Sequence, residues 1–181
     1  MVGVVILAAL IAADRHGLLL KRTGDWARFH GKAFVVQRVI DGDTLDVMAP
    51  GATAVKENLT RVRLWAIDTP ELARRDRGTP AEPFAQEAKA FAMRVCEGKI
   101  VTLQLEAHRL RGKYGRLLAF VVLEDGRCLN AMLVERGLAR AERRFSHSRL
   151  KEYEALEARA KAARQGMWGG RPSGAVISVG R

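Results

Sequence analysis

Four short stretches carry side chains able to do chemistry together. "VIDGDTLDV" (39–47) sets Asp41 and Asp43 on either side of one glycine, and Arg63 sits within "TRVRLWAI" (60–67). "DTPE" supplies Asp68, Thr69 and Glu71, and "KYGR" supplies Lys113, Tyr114 and Arg116. Aspartates are poor strand formers and repel one another, so a pair of them beside a turn calls for a compensating charge. Oxygen donors gathered from several strand ends suit a hard divalent cation: magnesium, manganese or calcium. An EF-hand is excluded, because the twelfth position counted from Asp41 is Ala52 and not a glutamate. Singly, Asp-Gly and Asp-Thr-Pro are ordinary turn chemistry. The case for a site rests on all four stretches occurring together.

These residues must be positioned by strands. "AFVVQRVI" is a β-rich run that stops at Asp41-Gly42-Asp43, and "TLDVMAP" resumes in extended form as far as Pro50-Gly51. The two read as a hairpin. Thr60 to Ile67 alternates, with Val62, Leu64 and Ala66 on one face and Arg61, Arg63 and Trp65 on the other. Pro70 ends that strand. "LARRDRGTPAEP" reads as a surface loop. Phe84, Ala88, Phe91 and Val95 then mark one face of a helix that stops at Gly98. "IVTLQLEA" and "LLAFVVLEDG" read as strands on either side of the basic turn "HRLRGKYGR". "LNAMLVERGLAR" reads as a short helix ending near Gly137. "SRLKEYEALEARAKAARQGMW" reads as a longer one, with Leu150, Tyr153, Leu156 and Ala160 on a face. Five strands with one helix between the third and fourth describe an α+β, mainly β fold: a five-stranded OB-fold barrel with one inserted helix and two C-terminal helices.

Composition agrees with a charged ligand. The chain has 181 residues, room for one domain with a core, and 31 Lys and Arg against 20 Asp and Glu give a formal charge of +11. That surplus points to a polyanion, nucleic acid before an anionic membrane surface. Disorder is excluded by the 48% hydrophobic content. Cys96 and Cys128 are too few for a disulfide framework or a four-thiolate zinc site, and read as two free, partly buried thiols or, in an exported chain, a single bridge. His16, His30, His108 and His147 lack metal or nucleophile spacing and read as surface histidines. Trp26, Trp65 and Trp168 read as packing residues, with a wall of the substrate site as the alternative for Trp65, which shares strand parity with Arg63. The apolar run Val2–Ala13 has the length of a signal-peptide core and is too short to span a bilayer, although no Lys or Arg precedes it. Residues 1–30 are therefore expected to be an export signal or short membrane-proximal anchor, 31–169 the barrel domain, and 170–181 a loosely held tail. The alternative for the leading segment is a helix packed on the domain. The corresponding location is secreted, periplasmic or envelope-associated, or cytoplasmic if the segment is no signal.

"IDGDT", "RVRLWAIDTPE" and "KYGR", in this order and with a helix between the last two, resemble the thermonuclease (staphylococcal-nuclease-like) family from about Ala33 to Trp168. The resemblance implies a calcium-dependent nuclease that hydrolyses phosphodiester bonds of DNA and RNA, favours single-stranded or frayed substrate, and leaves 3′-phosphate ends. It implies calcium held by Asp43, Asp68 and the Thr69 carbonyl, and Glu71 as general base through water. Arg63 and Arg116 would grip the scissile phosphate, with Lys113 and Tyr114 beside the nucleotide's terminal phosphate. Independently, a phosphodiester transition state gathers charge on its equatorial oxygens, where a divalent cation and two planar guanidiniums stabilise it. A monomer is expected.

The sequence departs from the family pattern in two places. "ARAERRFSH" puts Arg143 and Phe145 where the family's best-known member carries tyrosines that stack on the substrate base, so these two are expected to bind substrate by stacking or charge, the alternative being that both cover the seam between barrel and helix. Gly112 replaces an aspartate before "KYGR", which is expected to loosen that turn. Two rival readings remain: a non-catalytic nucleic-acid-binding OB module, and a basic membrane-surface protein working through its leading segment.

Overall fold

In the computed structural model, which describes residues 24–52, 58–73, 78–169 and 172, the β-branched run becomes strand β1 (Lys32–Asp41). The chain turns at Gly42-Asp43 and returns antiparallel as β2 (Thr44–Met48), with Asp41 opposite Thr44. Two bulges in β1, after Val36 and after Val39, bend the strand. It pairs with β2 on one side and with β5 (Ile100–Gln104) on the other. β3 (Thr60–Leu64) lies antiparallel to β2 and parallel to β6 (Leu117–Leu123), and β6 pairs antiparallel with β5. The order β1-β2-β3-β6-β5 closes a barrel. The expected five-stranded OB-type architecture is therefore what the chain forms. Val36, Val47, Val62, Leu103, Leu117 and Val121 are wholly buried in it, each contributing roughly 1.5–3 kcal/mol by leaving water.

The expected helices form. α2 (Ala85–Cys96) buries Ala88, Phe91, Ala92 and Cys96 and packs on β1. α3 (Leu129–Glu135) packs against α4 (Leu150–Ala162), which buries Tyr153, Leu156 and Ala160. Among the described residues there is also a short helix ahead of the barrel, α1 (Asp25–Phe29). Its Phe29 is 2% exposed, with its ring 5.5 Å from that of Phe34. Asp25–Phe29 thus packs as part of the folded body. The run Val2–Ala13 lies outside the described residues, as does all of the 170–181 tail except Pro172.

The strand expected over Thr60–Ile67 stops at Leu64. Trp65 and Ala66 form a turn, with Ala66 at φ 68, in the left-handed region. Trp65 is 5% exposed. The buried side chain of Asn130 fixes this break. Its Nδ2 donates to Trp65 O (2.9 Å) and Ala119 O (3.3 Å), and its Oδ1 accepts from Val121 N (3.0 Å). The chain then resumes as β4 (Ile67–Asp68), paired antiparallel with β7 (Arg140–Ala141) in a small second ladder.

Two further expectations are corrected. Both cysteines are free and buried, Cys96 wholly and Cys128 to 7% exposure. His147 is no surface histidine: it is 7% exposed, with its ring among Trp65, Phe120 and Tyr153.

Candidate active site

The β1–β2 turn is pressed against its neighbours. A Cβ on Gly42 would stand 2.7 Å from Thr69 Oγ1 and 2.8 Å from Ala88 Cβ, so only glycine fits between the DTPE segment and α2. Asp41 Oδ1 accepts from Asp43 N at 3.1 Å, an Asx-type closure of the turn. The result drives the Asp43 carboxylate inward, to 1% exposure.

All the polar capacity of Asp43 is engaged. Oδ2 accepts from Thr69 N (3.1 Å) and Thr69 Oγ1 (2.9 Å), and Oδ1 accepts from Thr44 Oγ1 (3.1 Å) and from Nη1 of Arg63. The other arm of Arg63, Nη2, donates to Asp68 Oδ1 at 2.7 Å. One guanidinium therefore bridges two carboxylates from different strand ends. Burial pushes the Asp43 carboxyl up to about 7, and the Asp41 charge adds to this, while Arg63 and the Thr69 hydrogen bonds oppose it.

Thr44 extends the cluster. Its hydroxyl donates to Asp43 and accepts from Arg116 Nη1 at 3.1 Å, linking the β1–β2 turn to the KYGR turn. That second turn is itself held firmly. Gly112 N donates to Arg116 O (2.9 Å) and Gly115 N to Gly112 O (3.0 Å). Arg111 adds Nη1–H donation to Gly115 O (2.6 Å) and two bonds to Asp25 of α1 (2.5 and 2.8 Å). Tyr114 is thrust outward at 75% exposure, with Lys113 Nζ 5.7 Å and the Arg116 guanidinium 5.8 Å from its ring.

A cavity of about 380 Å³ opens beside the cluster, walled by Arg63, Trp65, Lys113, Tyr114, Arg116 and Phe145 together with Arg109 and Arg144. Phe145 stacks on Trp65 (5.7 Å, 25° between planes), and the Arg109 guanidinium lies 3.9 Å from the Phe145 ring centroid. Arg143 is directed elsewhere. Its guanidinium donates to Glu154 Oε1 (3.0 Å) and Glu157 Oε2 (2.6 Å) on α4. Its neighbour Arg144, tied to Glu142, takes the place at the cavity wall. Glu71 is half-buried on the following loop, where its N–H donates to Glu82 Oε2 (3.1 Å) and its carbonyl accepts from Glu82 N (2.9 Å).

The structure thus joins Asp43, Arg63, Asp68 and Thr69 directly, adds Arg116 through Thr44, and sets Lys113, Tyr114 and Phe145 around the adjoining cavity. Sequence reasoning passed over Thr44, Glu82, Arg109 and Arg144. Thr44 could have been found by its place inside "IDGDT". The other three carry no local signal.

The donor set fits a hard cation in kind. Asp43 and Asp68 offer oxygen only, Thr69 stands beside them, and the space between the two carboxylates already attracts a positive group, the Arg63 guanidinium. Among the described residues no three His, Cys, Asp or Glu side chains form a metal-holding group.

The site is thus the rim of an OB-type barrel where acids and arginines converge beside a basic cavity edged with aromatic rings. A family model described as staphylococcal nuclease homologue matches residues 61–170. The chain belongs to the staphylococcal nuclease family. It is 34% identical over 146 residues to a thermonuclease of Staphylococcus intermedius, spanning 77% of this chain and 79% of that protein. It is 31% identical over 170 residues to the protein ParB of Escherichia coli, across 89% of this chain and 84% of that one. The SPbeta prophage-derived endonuclease YokF of Bacillus subtilis is 28% identical over 135 residues, which cover 74% of this chain and 43% of the endonuclease.

Proposed function

We propose that this protein is a calcium-dependent nuclease that hydrolyses phosphodiester bonds in DNA and RNA and leaves 3′-phosphate ends. The observation that carries the reading is the single guanidinium of Arg63 held between Asp43 and Asp68, with Arg116 joined to the same cluster through Thr44. Asp43, Asp68 and the Thr69 carbonyl would hold the ion, which supplies fixed positive charge at the phosphoryl oxygens. Arg63, released toward substrate, and Arg116 donate to the non-bridging oxygens, where a planar fork binds better than an ammonium. Glu71 orients and deprotonates the attacking water. Lys113 and Tyr114 hold a flanking phosphate, and Phe145, stiffened by Trp65 and Arg109, offers a face to a base.

Export directed by Val2–Ala13, envelope contact through the same run, and action as a monomer belong to this proposal. Deleting residues 1–23 is expected to leave phosphodiesterase activity intact while retaining the protein inside the cell. The central test is digestion of denatured DNA and of RNA with calcium, with a chelator, and by Glu71→Gln. Cleavage should vanish with chelator and fall by about 10²–10⁴ in the variant. Equal cleavage under all three conditions refutes the assignment.

A further inference from the structure

The Arg116–Tyr114 wall has two sides. On the far side from the cavity lies a second groove, of about 480 Å³, reached over Tyr114 and Arg116. Arg28 of α1, Arg38 of β1, Arg61 of β3 and Arg111 line it. Among the described residues Asp46 is its only acidic lining residue.

Asp46 organises this surface. Its carboxylate is 3% exposed and accepts from Arg38 Nη2 (2.8 Å), Arg61 Nε (2.8 Å) and Arg61 Nη2 (3.0 Å). Those bonds hold its carboxyl below the usual carboxylate range. The two arginine side chains remain 61% and 50% exposed. One buried negative charge thus pins two guanidiniums in fixed positions and leaves them with a net positive charge toward solvent. Arg111 is spent on Asp25 and Gly115, but Arg28 contributes a charge of its own, 5.2 Å over the Phe29 ring. A charge pinned this way needs no reordering when an anion arrives, which is what a binding surface requires.

Resting on the nuclease reading above, we propose that this groove binds the phosphodiester backbone of the single strand as it continues beyond Arg116, so that the protein grips a run of nucleotides and not only the pair at the scissile bond. Arg28, Arg38 and Arg61 track successive phosphates. The strand leaves the cavity across Tyr114, the exposed ring between the two depressions. Binding energy gathered here is remote from the reacting atoms and favours long chains over short ones.

The test is anisotropy of labelled single-stranded DNA in the Glu71→Gln background, where no turnover is needed. Two probes are compared: one of two nucleotides, and one of about 12, within the ~4–16 that an OB fold covers. The Arg28→Ala/Arg38→Gln double variant keeps the Asp46–Arg61 pair, and circular dichroism checks its fold. For the longer probe its affinity should fall several-fold and its salt slope by about 1.4, two contacts at about 0.7 each for a single strand. The short probe should bind unchanged, as should short-substrate cleavage in the active protein. Arg28→Ala alone, away from any buried carboxylate, should give half the slope change. Equal loss for both probes, or an unchanged slope for the long one, overturns the groove. A length effect in a protein that never cleaves would leave the groove standing and remove the nuclease reading alone.

Discussion

Glu157→Gln should loosen the active-site rim from a distance. Glu157 lies on α4 at 2% exposure and holds three partners: Ala141 N (3.2 Å), Arg143 Nη2 (2.6 Å) and Lys161 Nζ (3.0 Å). Ala141 belongs to β7, whose partner strand β4 carries Asp68, and the next residue, Glu142, donates its N–H to Ala66 O at 2.9 Å. The variant keeps an acceptor for Ala141 but loses two charge-assisted bonds. Each would be worth about 1.5–3 kcal/mol if buried, but Arg143 and Lys161 are half-exposed and rehydrate. The net loss is about 1–2 kcal/mol, a fall in Tm of about 2–8 °C for a chain of this size. Glu157→Ala also strands the buried Ala141 N–H, for a further loss of about 1–3 kcal/mol. Burial raises the Glu157 carboxyl, and the bonds from Arg143, Lys161 and Ala141 outweigh it, so the group sits below its ordinary value. A depressed carboxyl stabilises the fold above its unfolded pKa and loses that contribution as pH falls through the folded one. The gap in Tm between wild type and Glu157→Gln should therefore be full at neutral pH and shrink below about pH 4.3. Thermal melts across that range, with single-strand cleavage measured at 25 °C, check it. Identical melting at pH 7 would refute the idea that this carboxylate ties α4 to the rim.

Three other outcomes are expected. Gly42→Ala should cost about 1–3 kcal/mol in urea unfolding, because its Cβ meets Thr69 and Ala88 below 3 Å; activity should fall with it as Thr69 is pushed off Asp43. Arg63→Lys should retain the circular dichroism of the fold yet lose about 10²–10³ in turnover, since one ammonium cannot fork between Asp43 and Asp68; near-normal turnover would place the arginine outside the chemistry. Burial pushes the Cys96 thiol up to about 12, so a disulfide reagent at pH 8 should modify it only on unfolding, which a time course with and without denaturant resolves.

Much of the fold was legible because it follows from local rules. β-rich and apolar runs bounded by turns became β1, β2, β5 and β6, and the Phe84–Ala88–Phe91 spacing became α2, because such short patterns leave few ways to pack. The Asp43, Asp68 and Thr69 grouping was legible through motif order. What failed, failed where packing overrides pattern. Trp65 alternates as a strand residue, but Asn130, some sixty residues later, captures its carbonyl. Neither β4 nor β7 has enough residues to announce itself, and each exists because the other does.

By itself, then, the sequence determined the barrel, its helices and the charged residues that meet at its rim, since hydrophobic period and turn chemistry act over a few residues. Only the tertiary structure decided between Arg143 and Arg144 as the cavity-facing arginine, made Thr44 the link between Asp43 and Arg116, and set Arg38 and Arg61 around one buried aspartate. Those outcomes depend on which carboxylate lies within reach after the chain has closed on itself, a distance that no local pattern encodes.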